Sequence, residues 1–324
     1  MLIAPPLRIV TQMSDGRGKF GHAMRVLHPR QPLSRPVRAA GALVGFMVFI
    51  AAWQLLSARY AEKGQAVLFP SPAAVGGAAL DYFGHGPRTE KRVIEARIAA
   101  TTAAEANRAE SEIRSKARES LDTLTGDLKI SFQRVLIAFL LAAIVGVPLG
   151  LFIGAFHWFE SILQPVTEFV RYIPVPALIP LLIVLFGIDE APKVMLIFIG
   201  TVLQLILMTS DEIRRVPMDL LQVCYTLGGK ASEVVSKVML PAALPGIFDA
   251  LRLCNGWAWT WLIVAELVAA NEGMGYRIVK YQRFLDTERI FVYLIVLGLV
   301  GLLIDLLFRL MNRHFFRWAA TDKR

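Results

Sequence analysis

Cysteine and charge are both scarce in this sequence. Cys224 and Cys254 are the two cysteines among 324 residues and form no CxxC pair, so the sequence predicts neither a disulfide framework nor a zinc or redox site of that kind. Acidic and basic residues make up 19% of the chain. The phosphate-binding pattern GxxxxGKS or GxxxxGKT is absent, which excludes a nucleotide hydrolase of the P-loop class. We therefore expect no catalytic residue, no metal ligand and no cofactor.

Apolar residues, in contrast, are abundant and lie in long blocks. They make up 55% of the chain, and the mean hydropathy is +0.52. Soluble domains interrupt their apolar residues at short intervals, whereas an uncharged block of about 20 residues is long enough to cross a bilayer. The sequence therefore predicts an all-α polytopic membrane protein with about six transmembrane helices.

The net charge of +9 comes mostly from basic residues beside the apolar blocks. Lys and Arg accumulate in this way on the cytoplasmic flanks of membrane spans, so the pattern indicates a lipid bilayer and argues against nucleic acid as a partner. The same rule predicts orientation. The basic segments 1–38 and 311–324 are expected to be cytoplasmic tails, which requires an even number of spans.

The first predicted span covers 39–58 and is too long for the apolar region of a signal peptide, so we expect it to remain attached. The third span contains Pro174, Pro176 and Pro180, which remove backbone donors and interrupt a helix. After the first span, the uncharged blocks lie at roughly 135–156, 173–187, 194–209, 250–270 and 290–308.

Residues 59–129 form a predicted external segment of a different kind. Its part 85–129 is rich in Ala, Glu and Arg, and opposite charges recur at helical spacing, for example at Glu110 and Arg114. The apolar stripe of this part is thin. We expect a solvated helix or helical hairpin that is inserted before the membrane core, 130–310.

The stretch 218–247 is a polar interruption between the fourth and fifth spans. Leu220, Leu221, Cys224 and Leu227 are spaced as one face of a short amphipathic helix. Gly228 and Gly229 then end this helix, because glycine adopts the left-handed backbone that other residues resist.

A second short helix is predicted to begin at Ser232, with Pro241 and Pro245 opening the next span. The predicted order is helix, glycine turn, helix and membrane. A rigid element of this kind could couple the spans to a soluble partner. A helix that lies on the surface and only anchors the bundle is the alternative.

The spacing from Gly228 through Val238 to Leu240-Pro241 resembles the signature loop of ABC importer permeases. In that family a Glu-Ala-Ala triplet precedes the glycine, whereas this chain has Gln222, Val223 and Cys224. Other stretches resemble the branch for nitrate, sulfonates, taurine and bicarbonate. They include FPSPAAV from Phe69, SFQRVLIAF and GVPLGLFIG within 131–154, RYIPVPALIPLLIVLFG within 171–187, and GMGY at 273–276.

The resemblance implies a permease subunit of a bacterial inner membrane that moves a small anionic or zwitterionic solute into the cytoplasm. The implied partners are a separate ABC ATP-binding subunit, a periplasmic or lipid-anchored solute-binding protein and a second permease copy. The cytoplasmic 218–240 loop would be the coupling helix that contacts the ATPase. The residues implied in this contact are Gln222, Leu227, Gly228, Gly229, Val238, Leu240 and Pro241.

Glu266, Asn255 and Gln204 are polar residues within predicted spans and are candidates for the solute path. For Glu266 the alternative is a structural carboxylate that accepts hydrogen bonds from a neighbouring helix. For the two amides it is a hydrogen bond between helices. Asp305 is expected to pair with Arg309 at i,i+4.

An autonomous secondary transporter or channel is the alternative function. That class predicts inverted hydropathy repeats and midplane charges, and the sequence shows neither. A membrane assembly or sensor subunit that uses 85–129 as a partner site is a third possibility. The insertion at about 88–120 is absent from the family pattern, and we expect it beside the dock of the binding protein.

Overall fold

The computed structural model describes residues 35–318, and every regular element in that range is a helix. Most of the predicted first tail and the end of the second, at 1–34 and 319–324, lie outside the described residues. The helices are α1 Arg35–Glu62, α2 Pro72–Tyr82, α3 Pro87–Ala99, α4 Ala103–Ala155, α5 His157–Arg171, α6 Ile179–Phe186, α7 Glu190–Arg214, α8 Met218–Thr226, α9 Leu240–Ala269, α10 Met274–Arg283 and α11 Thr287–Phe315.

Helix α4 joins the charged insertion to the second predicted span without a break. It begins with a capping box, in which Thr102 Oγ1 accepts the Glu105 backbone N–H and the Glu105 carboxylate accepts that of Thr102. Its Ala, Glu and Arg residues favour helix, and its one proline, Pro148, comes late. The sequence analysis treats these as two segments, but the structure has one helix of 53 residues.

The insertion forms a helical hairpin, one of the two forms that its composition predicts. Helix α3 folds back along the first turns of α4. The Glu110 carboxylate oxygens form ion pairs with Arg97 Nη2 at 2.5 Å and with Arg114 Nε at 3.0 Å. The i,i+4 pair of Glu110 with Arg114 is therefore confirmed. Charged contacts and short side chains hold this hairpin together, because it has few large apolar residues.

The third predicted span is interrupted, as its prolines indicate. Helices α5 and α6 meet at an angle of 87°, with a 3₁₀ turn at Val175–Leu178 between them. Five other stretches of helix in the described range are long and apolar enough to cross a membrane. The count is therefore six if the bent pair forms one span, which agrees with the sequence.

Helices α4, α7 and α9 form the centre of the bundle. Gly146, Gly150 and Gly154 of α4 face α7, a spacing of small residues that lets two helices approach closely. A Cβ atom at Gly150 would lie 2.6 Å from a backbone carbonyl oxygen of α7. On another side of α7, Gly200 leaves room for the Trp261 indole of α9. The buried apolar residues of the molecule lie mainly between these three helices.

Helix α1 stands apart from the bundle. None of the most apolar part of its membrane span is buried. Trp53 attaches it, since this ring stacks on Phe291 at 5.3 Å and its indole N–H donates to the Pro70 carbonyl at 3.0 Å. An uncovered apolar surface of this kind is stable against lipid tails, which are as apolar as leucine.

Candidate functional site

The 218–240 segment joins α7 to α9 and contains a hydrogen-bonded turn after α8. The Gly228 N–H donates to the Tyr225 carbonyl and the Gly229 N–H to the Cys224 carbonyl, both at 3.0 Å. These two bonds make a Schellman motif, which requires a left-handed residue after the helix. Gly228 has φ of +83°, as the sequence predicts.

The second glycine of this turn is required for space. A Cβ at Gly229 would lie 2.7 Å from the sulfur of Cys224. A helical turn at Ala231–Glu233 and a π-helical stretch at Val234–Met239 then lead directly into α9. The predicted order of helix, glycine turn, helix and span is therefore confirmed.

One side of α8 packs against the bundle. Leu221 and Cys224 contact a buried cluster that includes Ile213 of α7, Met239 of the π-helical stretch and Ile247 of α9. The α4 residues Val147, Leu151 and Ala155 border the same cluster. Helix α8 is therefore anchored to the three central helices at once.

The opposite side of α8 is apolar and uncovered. Leu220, Val223 and Leu227 are spaced i, i+3 and i+7 on one face, with exposed fractions of 48%, 57% and 83%. We call these three residues the α8 patch. The spacing predicts Leu220, Leu221, Cys224 and Leu227 on one face, but the structure divides them between two sides. Leu221 and Cys224 contact the cluster, whereas Leu220 and the C-cap residue Leu227 are exposed.

The seven residues implied in ATPase contact divide by exposure. The most accessible of the seven side chains lie on α8, in the turn after it and in the first turn of α9. Leu240 instead packs against the cluster beneath α8. Gln222, Leu227, Gly228 and Pro241 are exposed, whereas Gly229, Val238 and Leu240 are half-buried.

Glu266 lies at the other end of the bundle and is fully enclosed. Its carboxylate accepts the guanidinium of Arg134, the hydroxyl of Ser131 and the backbone N–H of Gly275, each at 2.7 Å. Arg134 also donates to Glu190 at the start of α7, at 2.7 Å. Glu266 is 1% exposed and three protein donors engage its carboxylate, which favours the structural alternative over the solute path.

A second buried carboxylate, Asp127, completes this ionic network. It accepts the Gly273 N–H at 3.1 Å, Arg277 at 2.8 Å and the Tyr293 hydroxyl at 3.2 Å. Burial alone lowers the pKa of Arg277, yet the adjacent Asp127 raises it above its ordinary value. Asp127 and Glu266 thus pin the 273–275 backbone between α9 and α10.

The sequence analysis did not single out Arg134 or Asp127. The signal was present, because Arg134 stands at the start of an uncharged block and an arginine at that depth requires a carboxylate partner. Which acid provides it depends on how α4 and α9 pack, and a single sequence does not contain that contact.

Gln204 and Asn255 lie on facing helices in the middle of the bundle. Close to them in sequence, Met208 of α7 and Cys254 of α9 are in contact, with their sulfur atoms 3.8 Å apart. Asn255 is 9% exposed and Gln204 is half-buried. Within residues 35–318 neither amide makes a side-chain hydrogen bond, so the interhelical bond expected as the alternative is not formed.

The α8 patch is an exposed apolar surface, and the ionic network joins the middle of α4 to the start of α7 and the end of α9. In the described part of the chain, no three His, Cys, Asp or Glu side chains converge as metal ligands.

Comparison with known proteins gives a consistent result. Residues 146–319 match the family described as "Binding-protein-dependent transport system inner membrane component". The chain is 36% identical over 195 residues to a "probable ABC transporter permease protein" of Brucella melitensis, a match covering 60% of this chain and 79% of the relative.

Two relatives have names that include a solute. A taurine transport system permease protein of Escherichia coli is 30% identical, with 60% of this chain and 71% of the relative covered. A bicarbonate transport system permease protein of Synechococcus elongatus is 32% identical, with 58% and 68% covered. An inward-facing structure of the MetNI methionine ABC transporter matches with a TM-score of 0.55 at 18% identity, covering 61% of this chain and 98% of that chain. The last match concerns the fold alone.

Proposed function

Because the chain belongs to the family of binding-protein-dependent transport system inner membrane components, we propose that it is the permease subunit that couples ATP hydrolysis to solute import. The α8 patch carries this proposal. Three apolar side chains are uncovered on a short helix whose other side is anchored in the bundle core. Exposed apolar residues that share one face of a fixed element mark a protein-binding surface.

The ATP-hydrolysing partner would bind the α8 patch and move α8 as a rigid unit. The Schellman turn prevents α8 from bending away from the chain that follows it. The cluster under Leu221 and Cys224 connects this motion to α4, α7 and α9. Tilting of packed helices by a docked partner is an ordinary route between inward- and outward-open states.

The solute is proposed to be small and anionic or zwitterionic, of the nitrate, sulfonate or bicarbonate class. The named relatives transport taurine and bicarbonate according to their names, which supports this class. We assign Gln204 and Asn255 to the solute path, because their amides lack protein partners among the described side chains. A second copy of the chain would close this path from the other side. Glu266 would instead hold the bundle ends in register.

The proposed orientation follows the basic flanks. The 218–240 segment and both termini face the cytoplasm, and the hairpin of α3 and α4 faces outward. An external solute-binding protein would then deliver its ligand on the hairpin side. The permease would operate in a bacterial inner membrane.

The direct test is purification of the tagged protein from its native membranes in mild detergent, with mass-spectrometric identification of stoichiometric partners. We expect an ATP-binding subunit in the complex. Val223→Asp combined with Leu227→Asp should remove it, because a docked interface would bury two unpaired carboxylates. Ile98→Asp, at a site that is 79% exposed on α3, should retain it. A stable complex without an ATP-binding subunit would contradict the proposal and favour an autonomous transporter.

A further inference from the structure

A cavity of about 320 Å³ lies where the hairpin of α3 and α4 meets α2 and the start of α11. Four cationic side chains line it. Arg88 and Arg92 come from α3, Lys116 from α4 and Arg289 from α11. Cations therefore line the cavity from three helices, and two of those helices belong to the insertion that the family pattern lacks.

The two acids that line the cavity are already engaged. Asp81 accepts the backbone N–H of Thr89 at 2.9 Å and so holds the first turn of α3. Asp286 accepts Arg88 at 3.3 Å and lies 3.4 Å from Arg289. These two carboxylates therefore interact with Thr89, Arg88 and Arg289, and not with Arg92 or Lys116.

Arg92 and Lys116 are the cations available to a ligand. Within the range 35–318, no ion pair or side-chain hydrogen bond involves Arg92. Lys116 pairs with Glu112 one turn away on α4, and the two side chains are 65% and 67% exposed. Exposed pairs of this kind contribute little, so the ammonium can turn to a better-placed anion.

The other two cations are held in fixed positions. Arg88 donates to Asp286 and also to Glu288, the latter at 2.9 Å, and so ties the hairpin to the start of α11. Burial alone lowers the pKa of Arg88, but these carboxylates raise it above its ordinary value, and the guanidinium stays charged. Arg289 lies over the Tyr281 ring at 5.5 Å. Two of the positive charges that line the cavity are thus fixed by contacts within the protein.

The cavity also has an apolar side, formed by Ile113 and Ala117 of α4. Its volume is at the small end of the range for small-molecule pockets, about 300–1,000 Å³. We propose that this cavity binds a small organic anion, with its carboxylate or sulfonate group between Arg92 and Lys116 and its short apolar part against Ile113. Charge-assisted hydrogen bonds favour such an oxyanion.

This site is separate from the machinery assigned above and does not depend on it. Along α4, Ala117 is about 50 Å from the residues that border the α8 cluster, at 1.5 Å per residue. The same oxyanion group could be part of a free solute or of an acidic side chain on another protein. Both would be recognised by the same charged hydrogen bonds, and the experiment below distinguishes between them.

The test uses the full chain in nanodiscs and titration calorimetry at constant ionic strength. The probes are butyrate, butanesulfonate and butylammonium. We expect the two anions to bind and butylammonium not to bind. Arg92→Gln combined with Lys116→Gln should weaken anion binding by about tenfold or more. Arg108→Gln combined with Arg118→Gln, two exposed cations of the same hairpin outside the cavity, should not change it.

N-acetylglutamate amide serves as a probe for an acidic protein side chain. Binding of the free anions identifies a solute site, and binding of the blocked glutamate alone identifies a protein contact. Both outcomes support the proposal if the Arg92 and Lys116 variant weakens this binding by about tenfold or more. No binding by any anionic probe, or equal binding by this variant, overturns it. Circular dichroism should show an intact fold, since both residues are exposed.

Discussion

Gly228 is the residue whose backbone conformation matters most for the proposed function, because it forms the turn after α8. It has φ of +83° and open space around the position of a Cβ atom, so conformation and not crowding requires glycine. Gly228→Val should destabilise the turn by about 1–2 kcal/mol or more, because a left-handed backbone is unfavourable for an L-residue. We expect the complex to hydrolyse ATP without driving solute uptake. Both rates can be measured in reconstituted vesicles.

Two variants separate conformation from bulk at this turn. Gly228→Asn should retain much of the uptake, because asparagine tolerates the left-handed region. Gly298→Val adds the same side chain within α11, where nothing lies within 4 Å, and should leave uptake unchanged. Normal uptake by Gly228→Val would show that the turn does not set the position of α8.

Glu266 tests whether the ionic network is structural. Glu266→Ala should lower the free energy of unfolding by about 3–5 kcal/mol, because it leaves a buried arginine partly unpaired. Glu95→Ala removes an exposed pair with Lys91 and should cost less than about 1 kcal/mol. Denaturant unfolding in detergent gives both values. Equal effects would count against the brace and return Glu266 to the solute path.

At the scale of the helix, the contact of α4 with α7 depends on the absence of side chains. Gly150→Leu should destabilise the bundle by at least about 1–3 kcal/mol, because its Cβ would lie 2.6 Å from a backbone oxygen that cannot move away alone. Gly301→Leu, at a position on α11 with nothing within 4 Å, is the matched control. Thermal unfolding in detergent compares them. Similar midpoints for the two variants would refute close packing at Gly150.

Helix ends were predictable where a residue has a strong local preference. Gly228 and Gly229 end α8, and the prolines at 174 and 176 interrupt the third span, because each acts on its own backbone. The division of the apolar residues of α8 between a packed side and an exposed side was not predicted. Leu220 and Leu221 have the same apolar side chain, so only the bundle beneath α8 decides which one is buried.

Over the whole molecule, the sequence predicted the helical class and the number of spans, since uncharged blocks report directly on bilayer crossing. It predicted a charged helix or helical hairpin but not the attachment of this hairpin by Arg88 to Asp286 and Glu288, some 200 positions later. The network around Arg134 was missed for the same reason. Contacts of long sequence separation depend on packing, and local patterns do not contain them.

The two ends of α7 belong to different parts of the molecule. One end, at Glu190, belongs to the ionic network, and the other leads into the segment that contains the α8 patch. Between them lie the unbonded amides of Gln204 and Asn255. Under the proposed function, a partner bound to the α8 patch would tilt helices that the ionic network joins elsewhere, and the tilt would change access to these amides.

The proposed function requires an ATP-hydrolysing subunit that binds the α8 patch. The most direct measurement places a photoreactive amino acid at Leu227 in native membranes and identifies the protein to which it cross-links. The same amino acid at Ile98, which is also highly exposed, is the control. We expect an adduct with an ATP-binding subunit from position 227 and none from position 98. Adducts from position 227 with lipid alone would show that no such subunit binds the α8 patch.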